Sequence, residues 1–222
     1  MQIIWKGQSC FQITAQNGKN GQVFLVIDPF DEQVGLKVPK LEADILLVTH
    51  SHYDHNNRGA VFSPQPNQFP FVIDGPGEYD IKGVFVQGIH SWHDDKEGKE
   101  RGENTIYTID TEELKLCHLG DLGQKELSEK QINSIGDVDI LMIPVGGNYT
   151  IDAKIAAAII AQIEPKIVIP MHYQLPKIKI KIDDVDKFLK TMGVKTTESL
   201  NKLSVKKKDL ATEGTKIVVL KP

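Results

Sequence analysis

The segment ILLVTHSHYDHNN, residues 45–57, holds three of the seven histidines in the chain and an aspartate, packed into six positions. His50 and His52 are two residues apart, so an extended backbone sends both the same way, whereas a helix would splay them. The apolar run DILLV ends just before them and puts both imidazoles on a loop at the carboxyl end of a strand. Asp54 and His55 follow as a second chelating pair, turned elsewhere by the loop. Neutral imidazoles and a carboxylate at this density have few structural uses and suit a divalent metal. One short loop can feed two adjacent metal positions.

More donors sit at other strand ends, where ligands and substrates gather in open α/β sheets. GIHSWHDD supplies His90 or His93, CHLGDLG supplies His118 and Asp121, and VIPMHY supplies His172, each directly after a strand-like run. On this reading every histidine of the chain lies beside the site.

The elements that must position these residues are legible in outline. QIIWKG and CFQIT read as strands, followed by NGKNG as a hairpin turn and then QVFLVIDPF. ADILLVTH and KIVIPMHY are apolar on both sides, as expected of strands buried between layers. FPFVIDGPGEYDIKGVFVQGI holds further strands, and NTIYTID with LKLCHLGD makes another pair. TIDAKIAAAIIAQIEP reads as a helix capped by Thr150 or Asp152 and ended before Pro165. DDVDKFLKTMG reads as a short amphipathic helix stopped at Gly193, and TKIVVLKP as a final strand. Strands first, then strands alternating with helices, give an α/β layered fold, with residues 1–222 as a single domain.

Composition narrows the function. A chain of 222 residues suits one well-buried domain. A formal charge of −4 gives no footprint for nucleic acid, which is disfavoured as a partner. No apolar run approaches the ~20 residues of a membrane helix, and MQIIWKGQSCF reads as a first strand, not a signal peptide. Cys10 and Cys117 are the only cysteines and read as buried apolar side chains in a reducing compartment. The expected setting is cytoplasmic, with a small-molecule substrate and no membrane partner; a homo-oligomer is compatible with the sequence.

Taken together, THSHYDHNN, HDD with RGENTIY, CHLGDLG, IPVGGNYTIDA and IVIPMHY resemble the metallo-β-lactamase superfamily, in order over nearly the whole chain. The similarity is greater to its compact bacterial branch of metal-dependent hydrolases related to the ascorbate-6-phosphate lactonase. This resemblance implies a four-layer αβ/βα sandwich, two mixed sheets with helices outside, and a dinuclear metal site along one edge. It maps His50, His52 and His93 onto the first metal, Asp54, His55 and His172 onto the second, and Asp121 onto the bridge between them. His93 is taken over His90 because related ligand histidines precede charged residues and then an asparagine-containing strand. His90, Asn104 and Tyr173 are then expected to contact substrate, and Arg101 to help build the pocket. Gly146 and Gly147 let the backbone pass close to the metals. Asp28 supports the site. His118 is read either as a partner that orients a ligand or, with Asp54, as a catalytic group that donates a proton to the leaving group. Gln8 stands where relatives often carry a histidine, a departure outside the ligand set.

Two divalent ions roughly 3.5–4 Å apart can share a hydroxide at neutral pH, with Asp54 holding its proton. Zinc is the expected metal, with manganese or iron as alternatives on the same ligands. The expected activity is hydrolysis of a small ester-like, lactone or phosphorylated substrate. The alternatives are a phosphodiesterase or nuclease of the same fold, and a non-catalytic metal-binding regulatory protein. The short connection from Asp121 to His172 leaves no room for the large insertion of the nucleic-acid-processing branch, and His52 and His55 separate the chain from oxygen-reducing di-iron relatives.

Overall fold

Alternating buried and half-buried residues set the first strand, β1 (Gln2–Gly7), which turns Ile3 and Trp5 into the core. In the computed structural model, which describes residues 1–18, 21–195 and 198–222, β1 pairs antiparallel with β2 (Cys10–Gln16), and β2 with β3 (Gln22–Ile27). The turn expected from NGKNG joins β2 to β3, but its Lys19 and Asn20 lie outside the described residues. Next to β3 run β5 (Ile45–Leu47) and β7 (Phe71–Ile73), both parallel to it. With β14 (Leu203–Ser204) at the far edge, the first sheet has six strands in the order β14-β1-β2-β3-β5-β7.

The second sheet has seven strands. Its order is β15 (Lys216–Ile217), β13 (Ile167–Met171), β12 (Ile140–Pro144), β11 (Leu114–His118), β10 (Glu103–Thr111), β9 (Val84–Trp92) and β8 (Gly77–Ile81). The strands β12 and β13 are buried at every position, as parallel strands covered on both faces must be. The helix α2 (Ala153–Ile163) crosses between them. Asp152 caps it by accepting from the amides of Lys154 and Ile155 at 2.9 and 3.0 Å, which settles the choice between Thr150 and Asp152. The helix α3 (Val185–Thr191) is capped by Asp184. A further helix, α1 (Glu129–Ile135), was not expected. Its signal was a capping box of Ser128 with Gln131, stopped by Gly136.

Side chains of both sheets meet in one core, where Ile13, Leu25 and Leu47 of the first sheet join Ile106, Leu116 and Met142 of the second. The α-helices pack into this core from the C-terminal half. The outer face of the first sheet carries a separate apolar layer, with Val26, Phe30, Leu41, Leu46 and Val61, under the short pair β4 (Leu41–Glu42) and β6 (Val61–Phe62). This is the expected sandwich of two mixed sheets, with loops and a two-stranded ribbon covering the first sheet. Among the described residues no helix is long and apolar enough to cross a membrane.

Strand directions decide where the chemistry collects. The strands β1, β3 and β5 run one way within the first sheet, and β9, β11, β12 and β13 share a direction in the second. The phenol of Tyr107 on β10 ties the sheets together at that edge, donating to the carbonyls of Val48 and Ile73 at 2.9 and 3.2 Å. The amide of Thr105 also donates to the carbonyl of Thr49, 2.9 Å away, just before the first ligand histidine.

Candidate metal centre

Two clusters converge at this edge. His50, His52 and His93 form one; Asp54, His55, Asp121 and His172 form the other, with the ligand atoms of each cluster within 4.8 Å of one another. Asp121 Oδ2 stands between them, 3.5 Å from His93 Nε2 and 3.2 Å from Nε2 of both His55 and His172. The seven residues read from the sequence as ligands are therefore brought together, His50, His52 and His93 in one group and Asp54, His55 and His172 with Asp121 in the other.

The side chains behind these residues aim them. Asp28 is fully buried at the end of β3 with φ of 48°. Its carboxylate accepts from the Thr49 amide at 2.8 Å, the Thr49 hydroxyl at 2.7 Å and His55 Nδ1 at 2.8 Å. Since the Thr49 hydroxyl is spent on Asp28, its oxygen accepts from His50 Nδ1, 3.0 Å away. One aspartate thus fixes the tautomer of two imidazoles, accepting from His55 Nδ1 directly and from His50 Nδ1 through the Thr49 hydroxyl, and turns both Nε2 atoms toward the cluster. The expected supporting role of Asp28 is this one. Gln8, Asp28 and His172 all lie in the left-handed region, at φ of 53°, 48° and 49°. Three such residues beside one site mark backbone strain held by its surroundings.

The donor set fits a metal. His50 Nε2 and His55 Nε2 are buried and have no hydrogen-bond partner, although carboxylates lie close. Atoms that converge without pairing are aimed at a shared point. Burial, and then repulsion from His55, push His50 well below the usual imidazole range, and burial lowers His93. These two are neutral and ready to ligate. Burial opposes charging of His55, but the carboxylates of Asp121, Asp54 and Asp28 outweigh it and raise it well above that range, so a cation bound at Nε2 would displace a proton there. For Asp121, burial is outweighed by His172 and His55, which keep the carboxyl well below its usual range. Asp54 is likewise lowered, against burial, by His55.

Four sequence expectations are corrected. His118 is fully buried, its Nδ1 accepting from the Gly120 amide at 3.1 Å and its Nε2 facing the Ser9 carbonyl at 3.0 Å. With both nitrogens committed to backbone it is no proton donor; it holds the Asp121 loop to the β1–β2 turn. His90 points to the other face of β9, exposed, against Trp92 and 3.5 Å from Glu103, so it does not contact substrate at this site. Asn104 is buried and anchors the loop of the bridging carboxylate: its Oδ1 accepts from the Asp121 amide at 3.0 Å, while its amide donates to Ser91 Oγ and the Leu119 carbonyl. Tyr173 is a core residue packed against Trp5 with tilted rings 4.9 Å apart, and its hydroxyl is 3.4 Å from the Leu220 carbonyl.

Two contacts were missed. Gln8 Nε2 donates to Asp54 Oδ2 at 3.0 Å, and Ser9 Oγ donates to Asp121 Oδ1 at 3.1 Å. The departure at Gln8 thus touches the ligand set after all, through Asp54. Close backbone approaches complete the frame. A Cβ at Gly146 would lie 2.3 Å from the His172 carbonyl oxygen, and one at Gly123 would lie 2.4 Å from that of His93.

A cavity of about 310 Å³ opens onto the cluster, with His52, Asp54 and His172 at its base and Tyr53, Tyr149 and Ile180 on its walls. A larger cleft of about 470 Å³, lined by His90, Trp92 and Gln131, lies on the outer face of β9 and contains none of the seven ligands. The chemistry belongs to the smaller one.

Known proteins are similar to this chain in sequence and fold. The β-lactamase superfamily domain matches residues 2–172. A UPF0173 metal-dependent hydrolase of Thermococcus onnurineus is 28% identical over 88% of this chain and 93% of its own. A metal-dependent hydrolase of Thermoplasma volcanium is 31% identical over 78% of this chain and 83% of its own. Among solved structures, a Thermotoga maritima protein assigned as a Zn-dependent hydrolase of the metallo-β-lactamase superfamily superimposes with a TM-score of 0.77 at 32% identity, covering 99% of this chain and 97% of its own. Fold and site together define a metal-dependent hydrolase of the metallo-β-lactamase fold. The chain belongs to the metallo-β-lactamase superfamily.

Proposed function

We propose that the protein hydrolyses a small ester-like, lactone or phosphorylated substrate using two divalent cations, zinc before manganese or iron. The carrying observation is the position of Asp121 Oδ2 between the two clusters, within 3.5 Å of His93 and 3.2 Å of His55 and His172. His50, His52 and His93 would hold one ion, and Asp54, His55 and His172 the other. Two bound cations supply Lewis acidity that lowers the pKa of water to about 7 and polarises the substrate oxygen.

The chain's own residues do the rest. Asp54 has one oxygen fixed by Gln8 and can accept the proton of the attacking water on the other. The Asp28–His55 and Thr49–His50 bonds keep the imidazoles oriented through turnover. Tyr53 and Tyr149 flank the opening and limit water around the reacting group. A cavity of about 310 Å³ suits a small molecule better than a polymer, and with a net charge of −4 this favours a metabolite over nucleic acid. The two buried free cysteines support a reducing, cytoplasmic setting.

The test is elemental analysis of protein purified without added metal, followed by turnover of a lactone, bis-p-nitrophenyl phosphate and RNA. About two ions per chain are expected, with lactone turned over and Asp54→Ala slower by roughly 100-fold or more. Fewer than one ion per chain sinks the dinuclear reading. Wild type as inert as Asp54→Ala, with both ions bound, sinks the catalytic one.

A further inference from the structure

We propose that Arg101 selects substrates carrying an anionic group, such as a carboxylate or phosphate, away from the bond that is cleaved. The inference rests on the hydrolase reading above and names the substrate class for the same cavity.

Arg101 is the one lysine or arginine among the described residues that line the metal-centre cavity. Its guanidinium lies over the ring of Tyr149, 5.5 Å from the centroid, and Tyr149 lines the same cavity. Nη2 makes a single long hydrogen bond, 3.4 Å, to the carbonyl of Asn148. Among the described residues no carboxylate pairs with it. The neighbouring Glu100 also lines the cavity, but its carboxylate is taken by Lys96. The other two acids there, Asp54 and Asp121, belong to the metal set. A guanidinium offers five donors in a planar fork matched to carboxylate and phosphate, and here most of them are unspent.

The placement is built. Asp94 follows the ligand His93, and its carboxylate accepts four backbone amides of the loop beyond it. Lys96 and Gly98 donate to Oδ1 at 2.8 and 2.9 Å, and Glu100 and Arg101 to Oδ2 at 2.9 and 2.7 Å. Through this loop the Arg101 backbone is fixed relative to the first metal cluster, so the distance from guanidinium to metals selects the length of the substrate. The walls of Tyr53, Tyr149 and Ile180 would enclose the segment between the two ends.

The experiment compares two esters with one leaving group, p-nitrophenyl butyrate and mono-p-nitrophenyl glutarate, on metal-loaded wild type, Arg101→Ala and Arg101→Lys. Wild type is expected to favour the glutarate ester in kcat/KM by roughly 10- to 100-fold, the worth of a hydrogen bond to a charged group. In Arg101→Ala the ratio between the two esters collapses to about one, mainly through KM, and Arg101→Lys restores part of it. Calorimetry gives a readout apart from turnover, with glutarate expected to bind wild type at least tenfold more tightly than butyrate and Arg101→Ala to lose that difference. A ratio unaltered by Arg101→Ala, or equal affinity of wild type for glutarate and butyrate, overturns the assignment. If neither ester is cleaved but the glutarate preference persists and depends on Arg101, the anion site stands and the ester reading of the reaction falls.

Discussion

Gln8 Nε2 lies 3.0 Å from Oδ2 of Asp54, across 46 positions of sequence. The contact joins the turn after β1 to the carboxylate proposed to ligate a metal and to steer the proton. Gln8→Ala should leave the metal content near that of wild type and lower kcat roughly 10-fold or more, within the usual range for the partner of a metal ligand. Gln8→Ala with unchanged kcat would remove Gln8 from the account of Asp54.

Asp28 receives three donors and gives none. Asp28→Asn replaces one accepting oxygen with a donor that must face either Thr49 or His55. The expected result is metal affinity weaker by roughly 10- to 100-fold and a loss of about 2 kcal/mol in stability, because a buried donor is left unmet. Metal titration and urea denaturation of the same sample check both, and full metal affinity in Asp28→Asn would contradict the aiming role.

His118 carries the pH prediction. Burial pushes its imidazole below the usual range. As pH falls below ~6.5, the unfolded chain takes up the proton and the folded one does not, so the unfolded state binds more. The contribution of His118 to stability is therefore complete above that value and is lost on acidification. In the metal-loaded protein the His118 ring proton resonances should titrate with a midpoint below ~6.5, and a midpoint at or above that value would show that the backbone clamp is absent.

Gly123 abuts the first cluster. In Gly123→Ala the new methyl would sit 2.4 Å from backbone atoms of His93 and Asp94, which must move. The expected cost is about 1–3 kcal/mol in stability, together with loss of metal from the His50–His52–His93 cluster ahead of the other. Metal stoichiometry on mild chelation measures this, and release of both ions together would count against it.

The ligand loop was legible because its density of imidazole and carboxylate has no cheap structural use, and Asp121 and His172 because each follows an apolar strand. His90 against His93 was a question of parity. Strand β9 turns His90 outward with Trp92, while Ser91 turns inward and His93 follows it to the metal side. The misreadings of His118, Asn104 and Tyr173 share one cause. Nearness to a ligand in sequence places a residue at the edge but does not say which way its side chain points. The contacts of Gln8 and Ser9 were not foreseen because their partners are 46 and 112 positions away. The rule that found the ligands would have reached both residues too, since they follow β1 as Asp28 follows β3 and His50 follows β5. The helix α1 was missed because seven residues carry too little periodicity, and only its capping box announced it.

The loop wrapped around Asp94 takes its shape from four main-chain amides, while the ion pairs of its side chains lie on the surface. Its path therefore depends little on the side chains it displays at 95–97 and 99–101. If Arg101 reads the substrate as proposed, those side chains could be exchanged, and with them the compound accepted, while the neighbouring His93 and the metal centre stay where they are. The loop would then work as a fixed bracket for interchangeable heads, and a few substitutions would refit one hydrolytic core to a new substrate.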